Sequence, residues 1–463
     1  MKYFLNKFVL LFPLKEDYYL ILNTLNGAAD VVTSEVKEKI ESLIEEEQPN
    51  ATNGELVKYL QEREYISHSS SSLEEVFSKA YRAYLNRIKS NPFTFVIIPT
   101  YLCNLACIYC YESSSIKSLP QILTSNLVEK AFEAMSSITE RNSKQAEIFL
   151  FGGEPLLDNI LVWKSVTKIF EKASALNWKV SIFTNGTTLA EYMPIFDAYK
   201  QMIDEIQTTI DGPRTIHDKR RMYLNGEGTF DKIINGLQEC VKRGIRTSVR
   251  TNVDLYNLPH LHNLAEDFHS RGWLDLPNFR WYLGITQNYG KCIIEEHCKL
   301  VSVPEMIKEI FLLKKKNNIP HDIPVGITYL KVIINLLNRK VTPPLFAFCP
   351  SNIKHTYVFD PYGDVYSCTF AIGQKELIVG RYVPDLILNE EYLKVWEKDV
   401  TKQSECINCE FMLLCGGGCM YQKIRGWITP GDQCQVKKEI KVTLQEALSL
   451  YADKIIGMAR GFK

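Results

Sequence analysis

The sequence predicts an α/β chain, a partial (β/α)6 TIM-like barrel preceded by a small α+β module and followed by a cysteine-rich C-terminal third. Three observations carry this. Between Phe93 and Asn317, six strand-like segments alternate with segments of helical periodicity, the pattern of a parallel sheet with crossover helices. Cysteines gather at Cys103, Cys107 and Cys110, and again from Cys349 onward. Residues 1–68 instead run strands first and helices second, which sets them apart as a winged-helix-like unit.

The bulk numbers fit an ordered chain. Its 463 residues allow roughly three domains, and 46% hydrophobic with 23% charged residues is ordinary for folded proteins. Lys+Arg and Asp+Glu are 54 each, so no net field draws in nucleic acid or an anionic membrane. No apolar run reaches the roughly 20 residues of a spanning helix, and Met1-Lys2-Tyr3-Phe4 opens no export signal, so a cytoplasmic location is expected. Thirteen cysteines without an export signal argue for metal ligation rather than disulfides. Cys240, inside a helical pattern, reads as a small core residue.

In the first unit, strands are expected at Phe8 to Phe12, Tyr18 to Leu22 and Val31-Val32, followed by helices capped by Ser34 and Asn53. No catalytic constellation lies here. A small sheet with an exposed edge can bind an extended peptide by strand addition, so the unit reads as packing or docking. Residues 69–92 form a linker, begun by the serines from Ser69 to Ser72, and a helix from Leu73 to Ser90.

The barrel is assigned to residues 93–320, with strands at Phe93 to Ile98, Glu147 to Phe151, Lys179 to Phe183, Glu205 to Ile210, Arg246 to Asn252 and Phe279 to Leu283. Helices fill the gaps: Asn126 to Thr139, Ile160 to Leu176, Thr229 (N-cap) to Gly244, and Leu258 to Arg271. In such folds the loops leaving the carboxyl ends of the strands build the active site. The first loop holds Cys103, Cys107 and Cys110 at spacing Cx3Cx2C, three soft ligands that leave one iron of a four-iron cluster open. The second is Phe151-Gly152-Gly153-Glu154-Pro155, two glycines that let a backbone approach a ligand and a carboxylate suited to an ammonium. Thr184-Asn185-Gly186 and Thr209-Ile210-Asp211-Gly212 follow the third and fourth strands, and the fifth carries Arg250 and Asn252. Further on, Cys292, His297 and Cys298 stand close together as a second, less specific ligand group.

Residues 321–463 contain seven more cysteines between Cys349 and Cys434. Cys349 and Cys368 bracket a hairpin turning at Asp360-Pro361-Tyr362-Gly363, and Cys406, Cys409, Cys415 and Cys419 surround Gly416-Gly417-Gly418. Paired cysteines also build zinc sites, but seven ligands suit two further iron-sulfur clusters better than an odd zinc count. An amphipathic helix from Val436 to Tyr451 closes the chain.

Cys103, Cys107 and Cys110, the aromatic Tyr109 before the third cysteine, and Gly152-Gly153-Glu154 resemble the signature of radical S-adenosylmethionine (SAM) enzymes. Cys349, Gly363-x4-Cys368, Cys406-x2-Cys409-x5-Cys415-x3-Cys419 and Cys434 resemble the SPASM domain of peptide- and protein-modifying members. The resemblance implies SAM as cofactor and three 4Fe-4S clusters, with Cys103, Cys107 and Cys110 holding the one that binds SAM. It further implies that Gly152, Gly153 and Glu154 meet the methionyl ammonium, that Tyr109 lies against the adenine, and that Thr184, Asn185, Thr209, Arg250 and Asn252 serve the ribose and carboxylate. Cys406, Cys409, Cys415 and Cys434 would hold one auxiliary cluster. Cys349, Cys368 and Cys419 would hold the other, completed by Cys292 or Cys298 or left with an open iron able to bind a substrate thiolate.

Two branches of the family compete. Sulfatase maturases, which form formylglycine, resemble one another in an acidic base after the second SPASM cysteine, where this chain has Thr369. Maturases of ribosomally made peptides carry a winged-helix-like leader-recognition element, as residues 1–68 resemble. The latter branch is favoured, with thioether crosslinking of a leader-bearing precursor peptide and a low-potential donor such as ferredoxin or flavodoxin as partners. From another class, a non-catalytic iron-sulfur electron carrier would explain the cysteines but not Gly152-Gly153-Glu154.

Overall fold

The computed structural model describes residues 3–45, 54–110, 112, 119–142, 144–286, 299–320, 323–428, 431 and 434–459. Cys292, His297 and Cys298 lie outside the described residues.

Apolar residues at alternate positions make the N-terminal segments into strands: β1 (Phe4–Leu5), β2 (Val9–Lys15), β3 (Tyr18–Asn23), β4 (Ala29–Thr33) and β5 (Ile66–Ser67). β2, β3 and β4 form an antiparallel sheet in that order, and β1 pairs with β5. The alternation has two buried sides. Val9, Ile21 and Val32 pack with Ile40, Leu43 and Leu60 of the helices Ser34–Glu45 and Gly54–Glu62. Leu10, Phe12, Leu20, Leu22 and Val31 join the main core of the chain. The sheet is therefore fused to the body by its second face, where the sequence suggested a free-standing unit. Two local expectations also shift. Thr33 rather than Ser34 accepts from the first turn, through Oγ1 to the Val36 N–H at 3.4 Å. The helix Ser70–Ser90 begins inside the serine run, leaving no linker there.

All six barrel strands form: β6 (Phe93–Ile97), β7 (Ala146–Leu150), β8 (Lys179–Phe183), β9 (Ile203–Thr209), β10 (Thr247–Val253) and β11 (Phe279–Ile285). They lie parallel and in sequence order, which puts their carboxyl ends on one rim. Phe95, Ile97, Ile148, Leu150, Val180, Ile182 and Val249 fill the core, and Cys240 is fully buried, its thiol pushed up to about 12 by burial. Thr229 does not cap the helix Phe230–Lys242. Asp218 Oδ1 takes the N–H groups of Thr229 and Phe230 at 2.8 and 2.9 Å, while the Thr229 hydroxyl donates to Arg221 O.

One extension was not expected. β12 (Thr356–Phe359) adds parallel to β6, and β13 (Asp364–Tyr366), β14 (Gly380–Arg381) and β15 (Ile387–Leu388) follow antiparallel, so the C-terminal hairpin continues the barrel sheet to ten strands. Its turn is the expected one: Gly363 sits at φ +85°, and Asp360 Oδ1 accepts from the Tyr362 and Asp364 N–H groups at 2.9 and 2.8 Å. The helix Gln435–Leu450 packs on β2, where Gln445 donates to Pro13 O. Among the described residues no helix is long and apolar enough to cross a membrane.

Candidate functional site

The rim at the carboxyl ends of β6 to β10 brings together most of the residues singled out from the sequence. After β6, the loop carrying Cys103, Cys107 and Cys110 turns under the loop after β7. Glycine is required there by the chain itself: a Cβ on Gly153 would stand 2.1 Å from Tyr101 O and 2.4 Å from Leu102 O. Gly152, at φ +134°, is equally confined by Ile98 and Thr100 O. These glycines let two loops touch. The Gly153 and Glu154 N–H groups donate to Thr100 O and Leu102 O at 3.2 and 2.8 Å, pinning the cysteine loop.

Glu154 is fully buried, and burial pushes its carboxyl above the usual range. Oε1 accepts from the Leu156 N–H at 2.8 Å and the Thr184 hydroxyl at 2.6 Å, and Oε2 accepts from the Asn185 N–H at 2.6 Å. A carboxylate has about four acceptor positions, so one on Oε2 is left for a further donor. Thr184 thus orients Glu154. Asn185 bridges to the cysteine loop, its Nδ2 donating to Asn104 Oδ1 at 2.7 Å and lying 3.9 Å from Cys103 Sγ.

Tyr109, Asn252 and Arg250 form a second chain of contacts. The Tyr109 hydroxyl donates to Asp211 Oδ2 at 2.5 Å and accepts from Arg221 Nη1 at 3.0 Å and Asn252 Nδ2 at 3.2 Å. Asn252 Oδ1 takes Arg250 Nε at 2.8 Å, and Thr209 stands beside Arg250 in the β9–β10 register.

Beneath them lies a charged cluster that the sequence reading did not assign. Arg220, wholly buried, pairs with Asp254 at 2.7 Å and Asp211 at 3.3 Å, and its guanidinium sits 5.0 Å from the Tyr109 ring centroid. The buried Arg221 is desolvated, yet Cys107, Tyr109 and Asp211 beside it hold its guanidinium well above the usual value. Its Nε has no hydrogen-bond partner among the described residues. The short stretch His217-Asp218-Lys219-Arg220-Arg221, directly after the Asp211 loop, was the available signal.

In the C-terminal third the cysteines fall into two groups. Burial pushes Cys415 up to about 12, with the nearby charges of Cys406, Cys434 and Cys409 adding to it. Burial likewise raises Cys368, with Cys349 and Cys419 as its charged neighbours. Cys406, Cys409, Cys415 and Cys434 line one cavity with Gly417, Gly418 and Lys423. Among the described residues, no three His, Cys, Asp or Glu side chains are arranged to hold a single metal ion.

Residues 97–267 match the Radical SAM superfamily. A cysteine-type anaerobic sulfatase-maturating enzyme from Clostridium novyi is 25% identical over 348 residues, 69% of this chain and 86% of the relative. The radical SAM cyclopropyl synthase TigE of Paramaledivibacter caminithermalis is 21% identical over 390 residues, covering 80% and 77%. Among solved structures, native anSMEcpe with bound AdoMet superposes with TM-score 0.56 at 18% identity, covering 80% of this chain and all of that one. Streptococcus suis SuiB bound to its precursor peptide SuiA gives 0.50 at 14%, covering 92% and 97%. These structures share the fold of the barrel described above. The chain is an enzyme built on a radical SAM domain at residues 97–267.

Proposed function

We propose that this enzyme modifies a ribosomally made, leader-bearing precursor peptide, installing thioether crosslinks at cysteine. The observation that carries the peptide reading is the outer edge of β4, which pairs with no further strand among the described residues and lies in an open cleft of about 780 Å³ beside the helix Gly54–Glu62. An extended leader can add there as a strand, main chain to main chain. SuiB, whose structure holds a precursor peptide, and anSMEcpe, solved with a Cp18Cys peptide, support a peptide substrate.

The rim residues fit SAM and a cluster. Bound there, the pair would supply hydrogen-atom abstraction chemistry toward the substrate. Cys103, Cys107 and Cys110 would hold the cluster, with Asn185 beside Cys103. Glu154 would take the methionyl ammonium at its remaining acceptor position, kept in place by Thr184, Asn185 and Leu156. Arg221, with a buried Nε that lacks a partner among the described residues, suits the carboxylate. Tyr109, its hydroxyl held by Asp211, Arg221 and Asn252, offers a fixed ring face to the adenine, and Thr209 and Arg250 line the rim toward the ribose. Cys406, Cys409, Cys415 and Cys434 would hold one auxiliary cluster, and Cys349, Cys368 and Cys419 another. A low-potential ferredoxin or flavodoxin would deliver the electron.

Formylglycine formation is the second reading, favoured by the Clostridium relative. Thr369, directly after Cys368, offers no acidic base for it. Anaerobic incubation with SAM, dithionite and a cysteine-bearing peptide, with and without its leader, separates the two. Crosslinking loses two hydrogens per thioether and depends on the leader, whereas formylglycine formation leaves an aldehyde. Deleting residues 1–68 would strip Leu10, Phe12, Leu20, Leu22 and Val31 from the core. Val31→Pro is the milder test, since the N–H it removes faces the open edge and not β3.

A further inference from the structure

Resting on the leader reading above, the charge of the cleft identifies the kind of leader it takes. We propose that the leader is acidic, lying as an added strand along β4 with its carboxylates on Arg339 and Lys340 of the opposite wall.

The alternation of β4 follows from the two bonds that flank its ladder. The Asn23 N–H donates to Ala28 O at 2.8 Å and the Ser34 N–H to Asp17 O at 3.0 Å. Asp30 and Val32 therefore pair with Ile21 and Tyr19, and the main-chain groups of Ala29, Val31 and Thr33 point to the open edge. Arg63 Nη2 takes Ala29 O at 3.2 Å. Beyond that contact, the edge at Val31 is where a guest strand would bond.

The facing wall comes from the C-terminal third, through Leu336, Arg339, Lys340 and Val341. Arg339 has φ +54° in the turn that ends the helix Lys331–Leu337, and the Lys340 N–H returns to Asn335 O at 2.8 Å, so this basic tip is fixed by backbone bonds. It sits hard against the β3–β4 turn: a Cβ on Gly27 would stand 2.4 Å from Val341 Cγ1 and 3.0 Å from Thr342 O. The two walls are thus locked together, and the cleft is a composite of both ends of the chain.

Among the described residues its lining carries three cations, Arg63, Arg339 and Lys340, against two carboxylates, Asp30 and Glu62. Asp30 is buried and already accepts from Tyr59 at 2.8 Å, Tyr65 at 2.6 Å and Arg63 Nε at 2.8 Å. Glu62 has Lys58 at 4.0 Å. Arg339 and Lys340 are exposed, and no acidic side chain among the described residues pairs with them. Two cations without an acidic partner among the described residues, beside the strand edge at Val31, select an extended peptide with carboxylates.

The test uses the full-length protein and three fluorescein-labelled ten-residue peptides, alternating Val with Glu, Lys or Ser, read by fluorescence anisotropy. At low salt the Glu peptide should bind at least tenfold tighter than the Lys peptide, with the gap closing as salt rises. The Arg339→Glu/Lys340→Glu double variant, with an unchanged melting temperature, should reverse that order. Equal binding of the Glu and Lys peptides, no binding of any peptide, or an unchanged order in the double variant would overturn the proposal. So would a single-stranded oligonucleotide of equal charge that displaces the Glu peptide at matching concentration, which would reveal general polyanion binding. Val31→Pro, with an unchanged melting temperature, should weaken Glu-peptide binding, and intact binding in that variant would overturn strand addition and with it the proposal.

Discussion

The Tyr101 hydroxyl donates to Asp360 Oδ2 at 2.8 Å, joining the cysteine loop after β6 to the hairpin turn between β12 and β13. The Asp360 carboxyl, pushed up to about 6 by burial, holds that turn with its other oxygen. Because β12 also pairs with β6, the radical SAM loop and the C-terminal cysteine region are anchored on one continuous sheet. Tyr101→Phe removes a donor from a buried carboxyl, at a cost of about 1–3 kcal/mol. Thermal denaturation of the cluster-loaded protein should show a lower Tm and faster bleaching of its iron-sulfur absorbance. An unchanged Tm would contradict the linkage.

Glu154 depends on donors from β8. Thr184→Val removes one of its three hydrogen bonds and should weaken SAM binding roughly tenfold, about 1.4 kcal/mol. Glu154→Gln should cost more, because it also presents an NH2 group to the Asn185 N–H or the Thr184 hydroxyl. Calorimetric titration with SAM under anaerobic conditions measures both, and wild-type affinity in Glu154→Gln would count against the ammonium contact.

His217 predicts an acid-sensitive rim. Its Nδ1 accepts from the Asp211 N–H at 3.2 Å, which leaves Nε2 to donate to the Thr229 hydroxyl at 3.0 Å, so the ring is neutral. Burial lowers its pKa to about 3. The unfolded chain gains a proton as pH falls below about 6.5, while the folded ring does not until near 3. Stability contributed by neutral His217 is therefore full above that window and is lost as pH falls through it, by about 1.4 kcal/mol per unit at most. Denaturant midpoints of the cluster-free protein between pH 7 and 5 should fall, and His217→Gln should flatten the slope.

Lys423 is placed to tune the auxiliary site. Its Nζ lies 3.9 Å from Cys406 Sγ and donates to Gln403 Oε1. A cation beside a cluster sulfur favours the reduced state, so Lys423→Met should lower one auxiliary potential by roughly tens of millivolts. An EPR-monitored redox titration reads this directly, and an unshifted set of potentials would contradict both the tuning and the proposed auxiliary cluster at Cys406.

Much of this architecture was legible because periodicity and cysteine spacing are local signals. The six strands of the barrel lie where apolar runs and turn residues put them, within two residues at each end. The pairing of β12 with β6 was not legible, since four buried residues, Thr356–Phe359, carry no mark of their parallel partner. At the rim, Glu154, Thr184, Asn185, Tyr109, Asn252 and Arg250 come together as their positions after successive strands suggested. The Asp211–Arg220–Asp254 cluster was missed because its ion pairs join residues 9 and 34 apart in sequence, and only the fold makes them neighbours. The close contact of Gly153 with the chain's own carbonyls was not legible for a related reason: only the fold brings the two loops together.

The central claim is tested most directly by co-expressing the enzyme with a leader-bearing, cysteine-rich precursor and weighing the peptide by mass spectrometry. The account predicts a loss of two hydrogens per crosslink, dependent on the leader and absent in Cys103→Ala. An unmodified peptide from an enzyme that still yields 5′-deoxyadenosine, or an aldehyde in place of the crosslink, would contradict it.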